Sequence, residues 1–155
     1  MTPAITLLKK KNVNHEVLKY VHDTDTASYG LEAVEKLQLN PSQVFKTLVV
    51  STDTQKLAVA VVPVTTKLSE KKMAKALGVK KVIMAPSHLV EASTGYILGG
   101  VSPLGQKKQL ITILHSSSKT LNTLYVSAGR RGLEVALSPD DLATLTRAKF
   151  EDITV

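Results

Sequence analysis

The segments VFKTLVV at residues 44–50 and LAVAVVPV at residues 57–64 decide the fold, because both are rich in the β-branched residues that strands favour. The intervening STDTQ at residues 51–55 is typical of a turn, so the two segments predict a β-hairpin. Side chains alternate between faces along a strand, and both faces of residues 44–50 are apolar. We therefore expect this strand to be buried on two sides, with Lys46 inside it.

Shorter signals on either side predict the remaining elements. A second hairpin is predicted within residues 124–137, around the turn GRRG. Further helices are predicted at 31–37 and 86–92, and further strands at 17–20, 82–84, 110–114 and 150–155. Capping residues mark three more helices and the end of one of them, namely Thr2, Ser69, Ser138 and Gly78.

These elements predict an α+β fold in one domain spanning residues 1–155. Hairpins recur and helices do not alternate regularly with strands, so we expect a mixed, mostly antiparallel sheet, curled into a partial barrel with flanking helices. The chain of 155 residues has no cysteine, which excludes disulfides, zinc–thiolate sites and a protein thiol nucleophile. Residues 1–11 do not resemble a signal peptide, and no apolar run approaches the ~20 residues of a membrane span.

The charge balance favours a polyanionic partner. Lysine and arginine number 20 against 13 acidic residues, which gives a net charge of +7. The chain has only four tyrosines, two phenylalanines and no tryptophan, whereas a surface that stacks successive bases needs clustered aromatic rings. Any contact with nucleic acid should therefore depend on phosphates and shape.

Lys46 is the first candidate for chemistry, because a lysine inside a doubly buried strand must either extend to solvent or line a cavity. In a cavity, its ammonium group would stabilise developing negative charge. The second candidate is GGVSP at residues 99–103, whose glycines allow close approach of a ligand and whose main-chain N–H groups can hold an oxyanion. An ordinary edge lysine and an ordinary tight turn also explain these residues.

The second hairpin carries further candidates. Arg130 and Arg131 can hold phosphate or can simply be solvated, and Ser127 can face a pocket or cap the backbone. The four histidines include no pair at metal-ligand spacing and accompany no nucleophile motif. No metal or cofactor is therefore expected, and a Ser-His-Asp triad has no local signature here.

Taken together, these features resemble the YbaK family of freestanding trans-editing proteins. These are Cys-tRNA(Pro) deacylases, related to the editing domain inserted in bacterial prolyl-tRNA synthetases. The resemblance covers essentially the whole chain. It depends on VFKTL at residues 44–48, GGVSPLG at 99–105 and SAGRRGLE at 127–134, whose order and spacing are specific together.

The resemblance implies the editing-domain fold and gives roles to particular residues. Lys46 matches the functional lysine of the family, and Gly99 and Gly100 belong to the loop that positions the aminoacyl ester. Tyr29 stands where phenylalanine is often found and Glu134 where aspartate is, which puts the size of the pocket in question. The expected substrate-binding residues are Tyr20, Tyr29, Thr47, Val101, Ser102, Pro103, Ser127 and Glu134, and the expected RNA contacts are Lys107, Lys108, Arg130 and Arg131.

The implied function is the removal of cysteine from mischarged Cys-tRNA(Pro), or from Cys-tRNA(Cys). The cysteinyl thiol would attack its own ester carbonyl, while Lys46 and the glycine loop supply positioning and charge stabilisation. The alternatives are deacylation of another small aminoacyl-tRNA such as Ala-tRNA(Pro), and a non-enzymatic RNA-binding module. The implied partners are the acceptor end of tRNA(Pro) and, transiently, prolyl-tRNA synthetase. Neither DNA nor a membrane is expected as a partner, and the expected location is the cytoplasm.

Overall fold

The computed structural model describes residues 1–25 and 28–155, together with the backbone but not the side chain of Tyr29. These residues form five α-helices and eight strands, so the predicted α+β class is confirmed. The helices are α1 (Pro3–Lys10), α2 (Tyr29–Leu37), α3 (Glu70–Leu77), α4 (Ser87–Thr94) and α5 (Pro139–Thr146). The strands are β1 (Glu16–Lys19), β2 (Phe45–Thr52), β3 (Leu57–Pro63), β4 (Val82–Met84), β5 (Ile111–His115), β6 (Leu124–Arg130), β7 (Leu133–Leu137) and β8 (Lys149–Glu151).

Local capping chemistry sets the helix boundaries, as the sequence predicts. The hydroxyls of Thr2, Ser69 and Ser138 each accept a hydrogen bond from the main-chain N–H three residues further on. Gly78 ends α3 with a φ of 72°, a conformation that costs glycine little. The helices of the described residues run eight or nine residues, and none is long and apolar enough to cross a membrane.

The strands form two open sheets. The first has the order β4-β2-β3-β5-β8, in which β4, β2 and β3 pair antiparallel and β3, β5 and β8 pair parallel. The second is antiparallel with the order β1-β7-β6. Both predicted hairpins are present, but the partial barrel is not confirmed, because the strands of the described residues close no sheet. An isolated bridge between Val44 and Tyr125 links the two sheets.

The strand β2 is buried on both faces, which confirms the prediction from its pattern. On one face, Phe45 and Val49 join the larger core, where the two sheets meet α1 and α5. On the other face, Val50 packs with Met73 of α3 in a second core. Burial of a large apolar side chain contributes roughly 1.5–3 kcal/mol, so the two cores together fix the position of this strand.

Candidate active site

A cavity of about 330 Å³ opens where the first residues of β2 meet the glycine loop and the β6–β7 hairpin. Its walls also include the start of α2 and the residue after β1. Five separate parts of the sequence therefore meet around one space. The predicted site residues that line it are Tyr20, Lys46, Thr47, Gly99, Val101, Ser127, Arg130 and Glu134.

Lys46 enters the cavity from β2, where it pairs with Val62 of β3. Its Nζ donates a hydrogen bond of 2.8 Å to the main-chain oxygen of Thr66. Partial burial lowers the pKa of the Lys46 ammonium, because desolvation disfavours the charged form. One of the three N–H donors is thus used to orient the ammonium group, and the others remain available to a ligand.

Thr47, the next residue of β2, brings a hydroxyl that lacks a partner. Its Oγ1 is buried and forms no hydrogen bond in the described part of the chain. An unsatisfied buried hydroxyl costs about 1–3 kcal/mol. A ligand group that bonds to it would recover part of that cost.

Glu134 is the carboxyl group of the cavity. It lies in the middle strand of the second sheet, between Leu18 of β1 and Ser127 of β6, and only 7% of its surface is exposed. Burial raises the pKa of Glu134 to about 8, and no ion pair with it is found among the described residues. Tyr20 lies close by, and its pKa is raised by burial and then by the charge of Glu134. A cationic ligand group would supply the missing partner of this carboxyl.

Ser127 and Arg130 flank the carboxyl on β6. The Ser127 Oγ accepts a hydrogen bond of 3.1 Å from the N–H of Gly129, and the pairing register shifts between Ser127 and Arg130. This irregularity turns both side chains toward the cavity that they line. No histidine lines the cavity within the described residues, and the ionisable group opposite Ser127 in the β6–β7 pairing is the carboxyl of Glu134.

The glycine loop between α4 and β5 is packed tightly against the β6–β7 hairpin. A Cβ atom on Gly100 would lie 2.8 Å from the Cα of Arg130, so only glycine fits at this position. The N–H of Gly100 donates to the oxygen of Ile97 at 2.9 Å. By contrast, the N–H groups of Gly99 and Val101 form no hydrogen bond within residues 1–25 and 28–155. The N–H groups of the loop that have no partner among the described residues are therefore those on either side of Gly100.

Several predicted site residues lie outside the cavity. Ser102 is fully buried and supports the loop, because its Oγ accepts from the N–H of Leu104 at 3.2 Å. Lys107 and Lys108 bond through their main-chain N–H groups to the end of α4. Arg131 donates through Nη2 to the oxygen of Leu98 at 2.8 Å. Pro103 and Lys108 line a different cavity, and the Tyr29 side chain is not among the described groups.

The cavity also contains residues that the sequence does not single out. Phe45 and Leu48 flank Lys46 and Thr47, but in a doubly buried strand such residues predict only core. Gly30 sits in the first turn of α2, where a Cβ atom would lie 2.5 Å from the Cγ1 of Val64. This close approach leaves no signal in the local sequence. The remaining lining residues outside the prediction are Ser28 and Leu98.

A buried carboxylate holds the chain segment that borders the cavity. Oε1 of Glu32 in α2 lies 2.7 Å from Nδ1 of His22, and Oε2 accepts from the N–H of Asp23 at 2.6 Å. Burial by itself would raise the pKa of Glu32, but the hydrogen bonds from His22, Asp23 and Lys36 outweigh it and lower the pKa. Residues 20–23 are thereby fastened to α2.

A second cluster has the composition of a catalytic triad but lies away from the cavity. His115 Nδ1 is 2.9 Å from the Oγ of Ser117, and Nε2 is 3.3 Å from Oδ1 of Asp152. The N–H of Ser117 also donates to Nδ1, so His115 caps the short 3₁₀ turn that follows β5. Lys72 bonds to Asp152 at 2.9 Å and lowers the pKa of Asp152 to about 2. This cluster fastens the C-terminal segment to α3.

The chemical capacity of the cavity follows from these groups. An oriented ammonium and two unengaged main-chain N–H groups are donors suited to an oxygen that gains negative charge. A buried carboxyl faces the same space and suits an amino group. The cavity lacks a cysteine or histidine in the described chain, so it is better equipped for positioning than for nucleophilic attack by the protein.

Comparison with known sequences places this chain among proteins that act on aminoacyl-tRNA. A family model described as the aminoacyl-tRNA editing domain matches residues 23–145. EbsC of Enterococcus faecalis (strain ATCC 700802 / V583), named as a candidate Cys-tRNA(Pro)/Cys-tRNA(Cys) deacylase, is 37% identical over 153 residues, which cover 99% of this chain and 93% of that protein. The uncharacterised YwhH of Bacillus subtilis (strain 168) is 26% identical over 130 residues, covering 83% of this chain and 82% of its own.

Solved structures share the fold along the whole chain. A crystal structure described as a candidate trans-editing enzyme for prolyl-tRNA synthetase superposes with a TM-score of 0.87 at 21% identity, covering 99% of this chain and 95% of that one. The structure of the hypothetical protein APE2540 superposes with a TM-score of 0.88 at 23% identity, covering 99% of both chains. The two-sheet arrangement is therefore common to these proteins.

Proposed function

This chain belongs to the aminoacyl-tRNA editing domain family and is an aminoacyl-tRNA deacylase, and from that premise we propose that it removes cysteine from mischarged Cys-tRNA(Pro). Cys-tRNA(Cys) is a second proposed substrate, in line with the name of its relative EbsC. We take residues 1–155 as one editing domain. Because the charged tRNAs of translation are its substrates, the proposed location is the cytoplasm.

The observation that carries the proposal is the meeting of Lys46 with the unengaged N–H groups of Gly99 and Val101 in one small cavity. Both kinds of donor favour a carbonyl oxygen that becomes an oxyanion. At about 330 Å³, the cavity is near the lower limit for small-molecule sites, which suits a small aminoacyl group on its ribose.

The proposed attacking group is the thiol of the substrate. Its sulfur forms a bond to the ester carbonyl carbon, the bond from that carbon to the ribose oxygen breaks, and the thiol proton ends on the ribose hydroxyl. The products are tRNA and a cyclic cysteine thiolactone, which water then opens. The absence of cysteine from the chain and of histidine from the described cavity wall supports this route, since the protein offers no activated nucleophile.

In this mechanism each side chain of the cavity has a proposed role. Lys46 holds the terminal ribose or the developing negative charge, and the loop on either side of Gly100 orients the carbonyl. Glu134 receives the amino group of the aminoacyl ester, which supplies the positive partner that the buried carboxyl lacks. Tyr20, Tyr29, Thr47 and Ser127 complete the substrate pocket. Arg130 and Arg131, with Lys107 and Lys108, are proposed contacts to RNA.

Ala-tRNA(Pro) is the alternative substrate, since the apolar side chains of Phe45, Leu48 and Leu98 would also accommodate a methyl group. It would require a water molecule as nucleophile, because alanine has no thiol. A transient complex with prolyl-tRNA synthetase is proposed as the source of tRNA selectivity, because the cavity itself contacts only the acylated end.

A panel of aminoacyl-tRNAs separates these proposals. We expect release of cysteine from tRNA(Pro) to be fast, and alanine, serine and S-methylcysteine on the same tRNA to be retained. S-methylcysteine is the control for the thiol, because it keeps the sulfur atom and adds only a methyl group, but it cannot form the thiolactone. Rapid release of alanine would favour water as the nucleophile, and release of S-methylcysteine at the rate of cysteine would contradict the thiol mechanism.

A further inference from the structure

A second cavity, which we call the basic groove, lies on the other side of the glycine loop. It measures about 460 Å³ and runs between the end of α1, residues 103–112 and the end of α5. Three cationic side chains line it, one from each of these parts, namely Lys11, Lys108 and Arg147. No acidic residue is among its lining residues in the described chain, so the groove is strongly positive.

The charges of the basic groove are not neutralised from within the protein. The ion pairs of the described residues involve Lys36, Lys72, His22 and His115, and none involves a cation of the groove. By comparison, a third cavity of similar kind, near β1 and the start of α5, is lined by Glu16 and Asp141. The groove thus differs from this third cavity in having cations without acidic neighbours.

The groove and the active-site cavity share one wall. Val101 lines the active-site cavity and Pro103 lines the groove, and two residues of chain span at most about 7 Å. The wall is held in place, because Gln106 donates to the oxygen of Ser102 at 2.9 Å and Gly105 packs against the main chain of Pro3. A polymer whose end enters the cavity can therefore reach the groove within a few units.

The other polar groups of the groove are compatible with an anion. Gln109 donates to the oxygen of Thr146, and the N–H of Arg147 bonds back to the last turn of α5, so part of the carbonyl end of that helix is already engaged. The partial negative charge of a helix end is about half a unit, which the three full cations outweigh. No aromatic ring lines the groove in the described residues, so it is suited to phosphates and not to stacked bases.

We propose that the basic groove binds the phosphates of the single-stranded 3′ end of tRNA, immediately before the terminal adenosine. The proposal rests on the proposed function, since it assumes that an aminoacyl ester occupies the neighbouring cavity. Lysine and arginine contacts to phosphate carry no sequence information, so the groove positions the strand without selecting the tRNA.

The test replaces Lys11, Lys108 and Arg147 together with glutamine. The matched control replaces Lys71, Lys75 and Lys80, three exposed lysines in and after α3, and loses the same charge. Binding of a labelled oligonucleotide ending in CCA is measured by fluorescence anisotropy at several salt concentrations. We expect the groove variant to bind about tenfold more weakly, with a salt slope smaller by up to about 2, while the control resembles the wild type.

Kinetics on two substrates complete the experiment. The groove variant should lose about tenfold in kcat/KM on Cys-tRNA(Pro) but should hydrolyse cysteinyl-adenosine, which has no phosphate, at the wild-type rate. Melting curves verify the fold, and the double variant of Lys11 and Lys108 replaces the triple variant if that one is unstable.

Each other outcome overturns the proposal or the premise. Equal weakening in the control would mean that only net charge matters. A loss on cysteinyl-adenosine would mean that the groove acts through the active site. Tighter binding of poly-glutamate than of the oligonucleotide would assign the groove to an acidic protein. A wild type that cleaves neither ester would contradict the proposed function, and the anisotropy would still decide whether the groove binds RNA.

Discussion

The two cavities on either side of the glycine loop differ in the state of their charged groups. In the active-site cavity, Glu134 is buried, and both its pKa and that of Lys46 are shifted toward the neutral form. In the basic groove, three cations surround a larger space that no acidic residue of the described chain lines. Charges interact strongly where water is excluded and weakly where salt can screen them.

The difference indicates that the two sides of the loop have different roles, with chemistry in the cavity and binding of a phosphate chain in the groove. A partly desolvated ammonium and fixed N–H donors can discriminate between an ester and its transition state, whereas solvated cations attract any phosphate chain. Changes in the active-site cavity should therefore have large effects on chemistry. Changes in the groove should have small effects that depend on salt.

Lys46→Ala should give the largest effect. We expect kcat/KM on Cys-tRNA(Pro) to fall about 100- to 1,000-fold, as for the loss of one oxyanion donor. The melting temperature should change little, because the ammonium is only partly buried. Lys56→Ala, on the exposed turn after the same strand, is the control and should retain full activity. An unchanged rate in the Lys46 variant would remove this residue from the mechanism.

Glu134→Gln should change how stability depends on pH. The carboxyl has a pKa of about 8 in the folded chain against 4.5 normally, so the folded state keeps a proton that the unfolded chain loses between these values. The free energy of unfolding of the wild type should therefore fall as the pH rises through that window. The difference in this free energy between the variant and the wild type should shift in favour of the variant by up to a few kcal/mol between pH 5 and pH 8.5. Denaturant titrations at both values measure this difference.

The exposed Glu151→Gln is the matched control and should show no such difference between the two pH values. A gain in the Glu134 variant that is the same at pH 5 and pH 8.5 would mean that the carboxyl is not protonated in the native cavity.

Gly100→Ala tests the wall between the cavities. The added methyl would lie 2.8 Å from the Cα of Arg130, so either the loop or the hairpin must move, at a cost of about 1–3 kcal/mol. We expect a lower melting temperature together with reduced kcat, because the N–H groups of Gly99 and Val101 are displaced. Gly78→Ala is a useful comparison, since its Cβ would meet no atom and only its φ of 72° would be strained. Normal kcat in the destabilised Gly100 variant would show that the loop does not orient the ester.

Lys108→Gln should give the smallest effect. Loss of one phosphate contact reduces the salt slope of binding to a single strand by about 0.7, so the affinity should fall several-fold at low salt and hardly change near 1 M salt. Lys75→Gln serves as the control for charge. Equal slopes in the two variants would remove Lys108 from the RNA-binding surface.

The sequence was informative wherever the deciding contact is local. A cap such as Ser69 bonds to an N–H three residues away, and the alternation in residues 44–50 reports burial on two faces directly. The family resemblance added the expectation that Lys46, the glycine loop and the second hairpin belong to one site. The cavity that these parts line agrees with that expectation in geometry, while their catalytic roles remain predictions.

The tertiary structure alone decided how distant segments meet. The division of the strands into two open sheets depends on the parallel pairing of β3, β5 and β8, which no local pattern encodes. The same is true of the close approach of Gly100 to Arg130, and of the Thr47 hydroxyl, which has no hydrogen-bond partner in the described chain. Lys11 and Arg147 lie near opposite ends of the chain, yet both line the basic groove. Bringing such distant residues together costs chain entropy, and this cost is offset only by the free energy gained when both cores are buried. The complete fold therefore determines these contacts.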